Sequence, residues 1–248
     1  MARWHRSAPM GIRRMLGMGV GVLALIAIAA TCARAGAYTG PRDSAGYGDG
    51  SGEVLGGPGR WLSVGLLSGS TLLDGSLADY QWDTRPQAAW GAQALIGARR
   101  LGVGVRGWTT QTTQNVGLPG VESPRVQATS WELVGQGRVA TWWGTQVLAT
   151  ASAGRLHLAY DPDRITLEPV GPGVPINVDF EPVDEWIAGG GVALLWPVAG
   201  RWTTSIALDH RIFGMDTAHR NGDEIEFGRQ TFGDWSARPE LAWLYGQR

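Results

Sequence analysis

The chain has 248 residues, of which 21 are basic, every one of them arginine, against 22 carboxylates. That length suits one domain plus a targeting segment, and an excess of negative charge after export disfavours a nucleic-acid partner, whose phosphate backbone calls for a net positive surface, so none is expected. The single cysteine, Cys32, excludes a disulfide framework and any paired-thiol chemistry.

Arginines at 3, 6, 13 and 14 precede an apolar run from Met15 to Ala30, followed by small residues with Ala-x-Ala sites at 33–35 and 35–37. This order of basic, apolar and small-residue regions predicts a Sec-type signal peptide over 1–37, cleaved on export. The apolar run is shorter than the roughly twenty residues of a spanning helix. Loss of five arginines with the signal leaves 16 against 22 carboxylates, a mature balance of −6. Residues 38–58, rich in Gly, Asp and Ser and without periodicity, are expected to form a flexible periplasmic leader. The rest, 59–248, is assigned to one barrel domain.

Eight strand candidates follow. The first, Arg60–Ser68, sets Leu62, Val64 and Leu66 on one face; the second, Gln87–Ala98, sets Trp90, Ala92, Ala94 and Ile96 against Gln87, Gly91 and Gln93. The third, Leu101–Thr112, opposes Leu101, Val103 and Val105 to Gly102, Gly104 and Arg106, and the fourth, Val126–Val139, opposes Trp131, Leu133 and Val139 to Glu132, Gln136 and Arg138. A period of two is the signature of a strand. The fifth, Trp143–Tyr160, does not divide cleanly into two faces, which suggests a bulge. The sixth, Glu185–Val198, has an apolar residue set on both faces. The seventh and eighth form one long hairpin from Arg201 to Tyr245 about the turn dipeptide Asn221-Gly222. Trp202, Thr204, Ile206, Leu208 and Ile212 share one parity upstream, and Trp235, Ala237, Pro239, Leu241, Trp243 and Tyr245 share one downstream. Its arms far exceed the usual globular strand of about five or six residues.

Short links at Arg99-Arg100, Ala140–Trp142 and Ala199-Gly200 alternate with long ones at Gly69–Pro86, Thr113–Arg125 and Asp161–Asp184. Tryptophans fall at two levels. Trp61, Trp142, Trp143, Trp196, Trp202 and Trp243 lie beside short turns or termini, and Trp90, Trp108, Trp131, Trp186 and Trp235 towards the long loops. At a tilt near 45° each residue climbs about 2.3 Å, which separates the two levels by roughly 18–23 Å, near the apolar height of a membrane barrel.

These features predict an all-β fold: an eight-stranded antiparallel up-and-down transmembrane β-barrel after a cleaved N-terminal signal helix. With its alternating aromatic segment Pro239-Glu240-Leu241-Ala242-Trp243-Leu244-Tyr245, the chain from Arg60 to Tyr245 resembles the small outer-membrane barrels of the OmpA/OmpX type. The resemblance implies insertion into outer-membrane lipid of a Gram-negative cell by the barrel assembly machinery. The chain departs from that pattern by continuing through Gly246-Gln247-Arg248 past its last aromatic residue.

An eight-stranded barrel is just wide enough for side chains to fill. The inward set is expected to include Arg106, Glu132, Arg138, Asp209, Arg211, Asp234, Arg238 and Glu240, paired into an ion network that fills the lumen. Some barrels of similar form are lipid A deacylases with catalytic His and Ser. His210 has the outward parity, but Arg211-Ile212-Phe213 follows it rather than His-x-Ser, so no catalytic residue is assigned. The acidic loop, with Asp161, Asp163, Glu168, Asp179, Glu181, Asp184 and Glu185, lacks the spacing of a metal site. Neither metal nor cofactor is expected. The loops 161–185 and 214–228 are where a surface partner is expected. Two further readings stand beside a non-enzymatic membrane barrel: a lipid-modifying barrel enzyme, and a soluble lipocalin-like barrel that binds an apolar ligand. Alternation alone leaves open which face points outward.

Overall fold

A computed structural model describes residues 60–116, 121–167, 175–221 and 224–246. The predicted signal peptide and leader lie outside these residues. Ten strands run in chain order: β1 (Arg60–Leu73), β2 (Gln87–Ala98), β3 (Leu101–Thr113), β4 (Arg125–Trp142), β5 (Thr145–Asp161), β6 (Arg164–Leu167), β7 (Ile176–Asp179), β8 (Val183–Ala199), β9 (Trp202–Asn221) and β10 (Glu224–Gly246). Eight of them close into an antiparallel barrel in the order β1-β10-β9-β8-β5-β4-β3-β2, while β6 and β7 form a separate hairpin within a loop. Closure between first and last strands runs from Trp61 opposite Gly246 to Leu73 opposite Asp234. No backbone edge is left along the wall, which is how a barrel solves the problem of unpaired strands.

The short turns sit close to their predicted places. Trp143 and Gly144 carry φ of 49° and 76°, the pair of positive angles a type I′ turn needs, and Trp142 pairs with Thr145 across them. The predicted turn at Ala140–Trp142 is therefore strand, and the reversal comes one step later. Between β8 and β9 the turn is Gly200-Arg201, with Ala199 paired to Trp202. At the far end Asn221 still pairs with Glu224. Asn221 is therefore strand rather than turn, and positions 222–223 lie outside the described residues.

The bulge expected in the fifth strand lies in its partner instead: the β4–β5 register shifts between Arg138 and Ala140. β5 itself alternates regularly, with Gln146, Leu148, Ser152, Leu156 and Leu158 buried. The β8–β9 register shifts between Pro197 and Ala199, as expected of a strand interrupted by a residue that cannot donate to the ladder. β8 fails to alternate because its inward face is also apolar: Ile187, Ala193 and Leu195 are all buried inside the barrel.

The lumen is layered. Near the short turns Trp61, Leu95, Val134, Leu148, Ala193, Leu195 and Ala207 form one apolar cluster. Towards the long loops Trp108, Val126, Leu156, Leu158, Ile187, Phe213, Met215 and Phe232 form a second. The first long loop contributes to the latter. A 3-10 turn over Gly75–Tyr80, capped by Asp74, buries Leu77 completely and sets Tyr80 edge-on to Phe232 at 5.9 Å. Asp74 anchors it twice to the wall, donating through its N–H to the Gly233 carbonyl at 2.8 Å and accepting from the Gly233 N–H at 3.1 Å. The carboxyl of Asp74 is held below its ordinary range, chiefly by the Ser76 N–H that it accepts.

Candidate functional site

All eight residues predicted for the lumen point inward, and all but Arg138 gather in a charged layer between the two apolar clusters; Arg138 lies nearer the short turns, opposite Leu148. Arg106, Glu132, Arg138, Asp209, Arg211, Asp234 and Arg238 are buried, and Glu240 is partly buried. They come from β3, β4, β9 and β10, each placed inward by the parity of its strand. Over the lumen as a whole the four arginines and four carboxylates balance formally. Neutrality is what a low-dielectric lumen requires, since an unbalanced buried charge costs several kcal/mol.

Glu132 is the hub. Its Oε2 takes a hydrogen bond from Arg106 Nη2 at 2.5 Å, and its Oε1 takes one from Trp108 Nε1 at 2.6 Å and one from Ser130 Oγ at 2.8 Å. Arg106 also donates to Ser152 Oγ at 3.1 Å. Arg211 Nε donates to Asp234 Oδ1 at 2.8 Å, while its Nη1 stands 3.6 Å from Glu132 Oε1, too long for a hydrogen bond but close enough for charge attraction. Asp209 accepts from Arg238 and from Thr150 Oγ1. Glu240 accepts from Gln93 Nε2 at 2.7 Å and Ser205 Oγ at 3.0 Å.

Glycines opposite these side chains make the room. Gly189 pairs with Arg211 and Gly191 with Asp209, and a Cβ on either would come within 2.6 Å of the facing side chain. The lumen is therefore filled rather than open. Below the charged layer remains a cavity of about 40 Å³, bordered by Ser63, Gln136, Thr203, Arg238 and Trp61 among others, room for little more than water.

Two tryptophans depart from their predicted girdles. Trp108 is buried, on the inward parity of β3, with the Arg211 guanidinium over its ring. Trp61 is also buried, lying across Gly97 and Gly102 at the short-turn end. Both sit at the right height but on the wrong face for a girdle. The signal was available, since Trp61 is out of phase with Leu62, Val64 and Leu66, and Trp108 is in phase with Arg106. Trp82, which the sequence left within a loop, is buried in the outer apolar cluster. The girdle itself remains: Trp90, Trp131, Trp186 and Trp235 are exposed near the long loops, and Trp142, Trp143, Trp202 and Trp243 near the short turns.

His210 points outward and packs against Trp235, the ring planes tilted by 48° and their centres 4.6 Å apart. Its cross-strand neighbours, Gly190 and Trp235, carry no hydroxyl or thiol. Three carboxylates of the acidic loop, Asp179, Asp184 and Glu185, are held in separate contacts. Arg164 joins Asp179 across the β6–β7 hairpin, His157 Nδ1 is 3.0 Å from Asp184, and Arg229 bridges Glu185 and Asp216. Among the described residues no group of three His, Cys, Asp or Glu side chains could hold one metal ion. Pro169 and its neighbours in that loop lie outside the described residues.

Register and closure define the class: an eight-stranded antiparallel up-and-down β-barrel. No family model matches the chain, and no curated protein matches it in sequence. Among solved structures it is similar to Neisserial surface protein A, at 8% identity over 74% of this chain and 96% of that one, with a TM-score of 0.41. It is similar also to OprG of Pseudomonas aeruginosa (11% identity, 77% and 98% covered, TM-score 0.43). A third is the outer-membrane protein AlkL (14% identity, 84% and 95% covered, TM-score 0.40).

Proposed function

We propose that the chain is an integral outer-membrane barrel without enzymatic activity, its lumen filled by a structural ion network and its outer loops available for envelope or surface contacts. The observation that carries this reading is the inverted polarity of the wall. Seven ionisable side chains of the lumen are buried, while Val64, Leu66, Ile96, Val103, Val105, Leu133, Val192, Ile206 and Leu241 are each at least half exposed. In water this arrangement exposes a contiguous apolar belt far larger than monomeric soluble proteins tolerate. In lipid the same belt is solvated, and the aromatic rings above and below it meet the two interfaces.

A lipocalin-like barrel would carry the opposite polarity, with an apolar ligand cavity inside and polar residues outside. The lumen here has its charges inside and about 40 Å³ free beneath them. For a lipid-modifying enzyme the outward His210 needs a nucleophile, and its neighbours supply none. Export by the predicted signal peptide over 1–37 belongs to the same proposal.

Fractionation after expression in a Gram-negative host tests it. The protein is expected in the outer-membrane fraction, soluble only in detergent, and to migrate faster on a gel when unheated than when boiled. Recovery in the soluble periplasm without detergent would sink the reading. Unchanged acyl chains on lipid A and phospholipids after expression are expected; an altered acyl pattern would favour the enzyme instead.

A further inference from the structure

The short-turn end of the barrel carries an apolar groove of about 1070 Å³. Its outer wall is formed by Leu62, Ile96, Leu101, Val103 and Tyr245, on the neighbouring strands β10, β1, β2 and β3. These side chains are 37%, 60%, 55%, 61% and 60% exposed. The depression exists because its floor is made of Gly97, Ala98 and Gly102, with Trp61 behind them. On the reading that the barrel spans an outer membrane, this groove opens at the periplasmic leaflet.

Four arginines surround it. Arg60 lines it directly and pairs in register with Ala98. Arg99 and Arg100 form the turn between the lining residues Ala98 and Leu101, with Arg99 held at φ 52°. Arg201, from the β8–β9 turn, places its guanidinium 5.2 Å from the centre of the Tyr245 ring. All four are exposed, and no Asp or Glu occurs among the described residues of the short turns and adjoining strand ends. The carboxylates of the described loops, among them Asp74, Asp79, Asp83, Glu122, Asp163 and Glu181, lie at the opposite end. Among the described residues this rim thus carries arginines and no carboxylate, directly beside an apolar groove at the short-turn end.

We propose that the groove is a site for an anionic glycerophospholipid of the periplasmic leaflet. An acyl chain lies along Leu62, Ile96 and Val103, and the headgroup phosphate is held by the rim arginines, above all Arg60 and Arg99. Guanidinium groups suit this task because their planar forks match phosphate oxygens and they shed water readily. Basic rims of membrane proteins attract anionic headgroups in this way. A zwitterionic lipid brings a cationic headgroup to the same arginines and is disfavoured.

The test uses the mature protein folded into phosphatidylcholine bilayers containing trace spin-labelled phosphatidylglycerol or spin-labelled phosphatidylcholine. The motionally restricted fraction of each label reports relative association. Wild type is expected to prefer phosphatidylglycerol on the order of fivefold, a preference that falls as salt rises but withstands millimolar inorganic phosphate at constant ionic strength. The triple variant Arg60→Gln, Arg99→Asn, Arg201→Gln is expected to lose it, whereas Arg155→Gln at the opposite rim retains it. Equal association of the two lipids in wild type, or a preference untouched by the triple substitution, overturns the proposal. A preference that emerges only on deletion of residues 38–58 also overturns it, by showing that the leader, which carries Asp43, Asp49 and Glu53, occupies the rim. The salt series on wild type remains decisive if the triple variant does not fold. Failure to enter bilayers at all would instead overturn the membrane reading beneath it.

Discussion

Arg211 lies with its guanidinium carbon 3.7 Å from the centre of the Trp108 ring, and the same indole donates its N–H to Glu132 at 2.6 Å. One ring therefore serves both signs of the lumen network, stacking a cation on its face and binding an anion at its edge. It also joins the charged layer to the outer apolar cluster.

This double role sets the first prediction. Arg211→Ala leaves Asp234 buried without its strongest partner, a loss of about 3–5 kcal/mol for a broken buried pair. Trp108→Phe keeps a ring face for Arg211 but removes the Glu132 hydrogen bond, a smaller loss of about 1–3 kcal/mol. Thermal unfolding in detergent, followed by loss of the fast-migrating form, checks the order: wild type, then Trp108→Phe, then Arg211→Ala.

Arg238 bonds Asp209 and borders the small lower cavity. Arg238→Ala is expected to lower thermal stability by about 3–5 kcal/mol without opening a conductance. The lumen stays closed because Trp61 and its apolar neighbours seal one end and Leu77, Trp108 and Phe232 the other. Planar-bilayer recording provides the measurement, and a large stable pore in the variant would contradict the filled-lumen account.

Leu133 is 70% exposed between Glu132 and Val134 on β4. In a membrane wall, Leu133→Arg places a charge in the hydrocarbon and costs about 2–4 kcal/mol near the midplane. On a soluble barrel the same change would be neutral or favourable. Refolding yield and unfolding free energy in bilayers against those of wild type separate the two cases.

At the outer face, Asp83 is clasped by Arg85, whose Nη2 lies 2.6 Å from Asp83 Oδ2. The Arg85 hydrogen bonds lower the Asp83 pKa to about 2. Because the folded value lies below the unfolded one, whatever stability the pair supplies is complete above the unfolded pKa of about 3.9 and disappears as pH falls through the folded value. Arg85→Ala is expected to raise the Asp83 titration, followed by NMR, part of the way towards the ordinary value near 3.9, because the backbone N–H of residue 85 still bonds the carboxylate. Both groups are at the surface, so the global melting temperature should barely move.

Much of the wall was legible from period alone. Thr203, Asp209 and Arg211 share one parity of β9 and Trp202, Ile206 and Leu208 the other, and the barrel keeps these sets apart. The site was half legible: parity put all eight charged residues on one face but said nothing of their partners. Gln93 beside Glu240 and Ser152 beside Arg106 depend on how far neighbouring strands are staggered, which no single strand encodes. Trp61 and Trp108 were misplaced because nearness to a strand end sets an indole's height, whereas parity sets its face.

The sequence by itself determined the strands, their two faces and the alternation of short and long links, because side-chain direction and turn geometry are local properties of the backbone. The chain order does not by itself say which inward residues meet, that β1 pairs with β10 with Trp61 opposite Gly246, or that four arginines gather around one groove. Those outcomes come from closing the sheet, which brings together residues that lie far apart along the chain, and closure is settled by the energetics of the whole barrel rather than of any one strand.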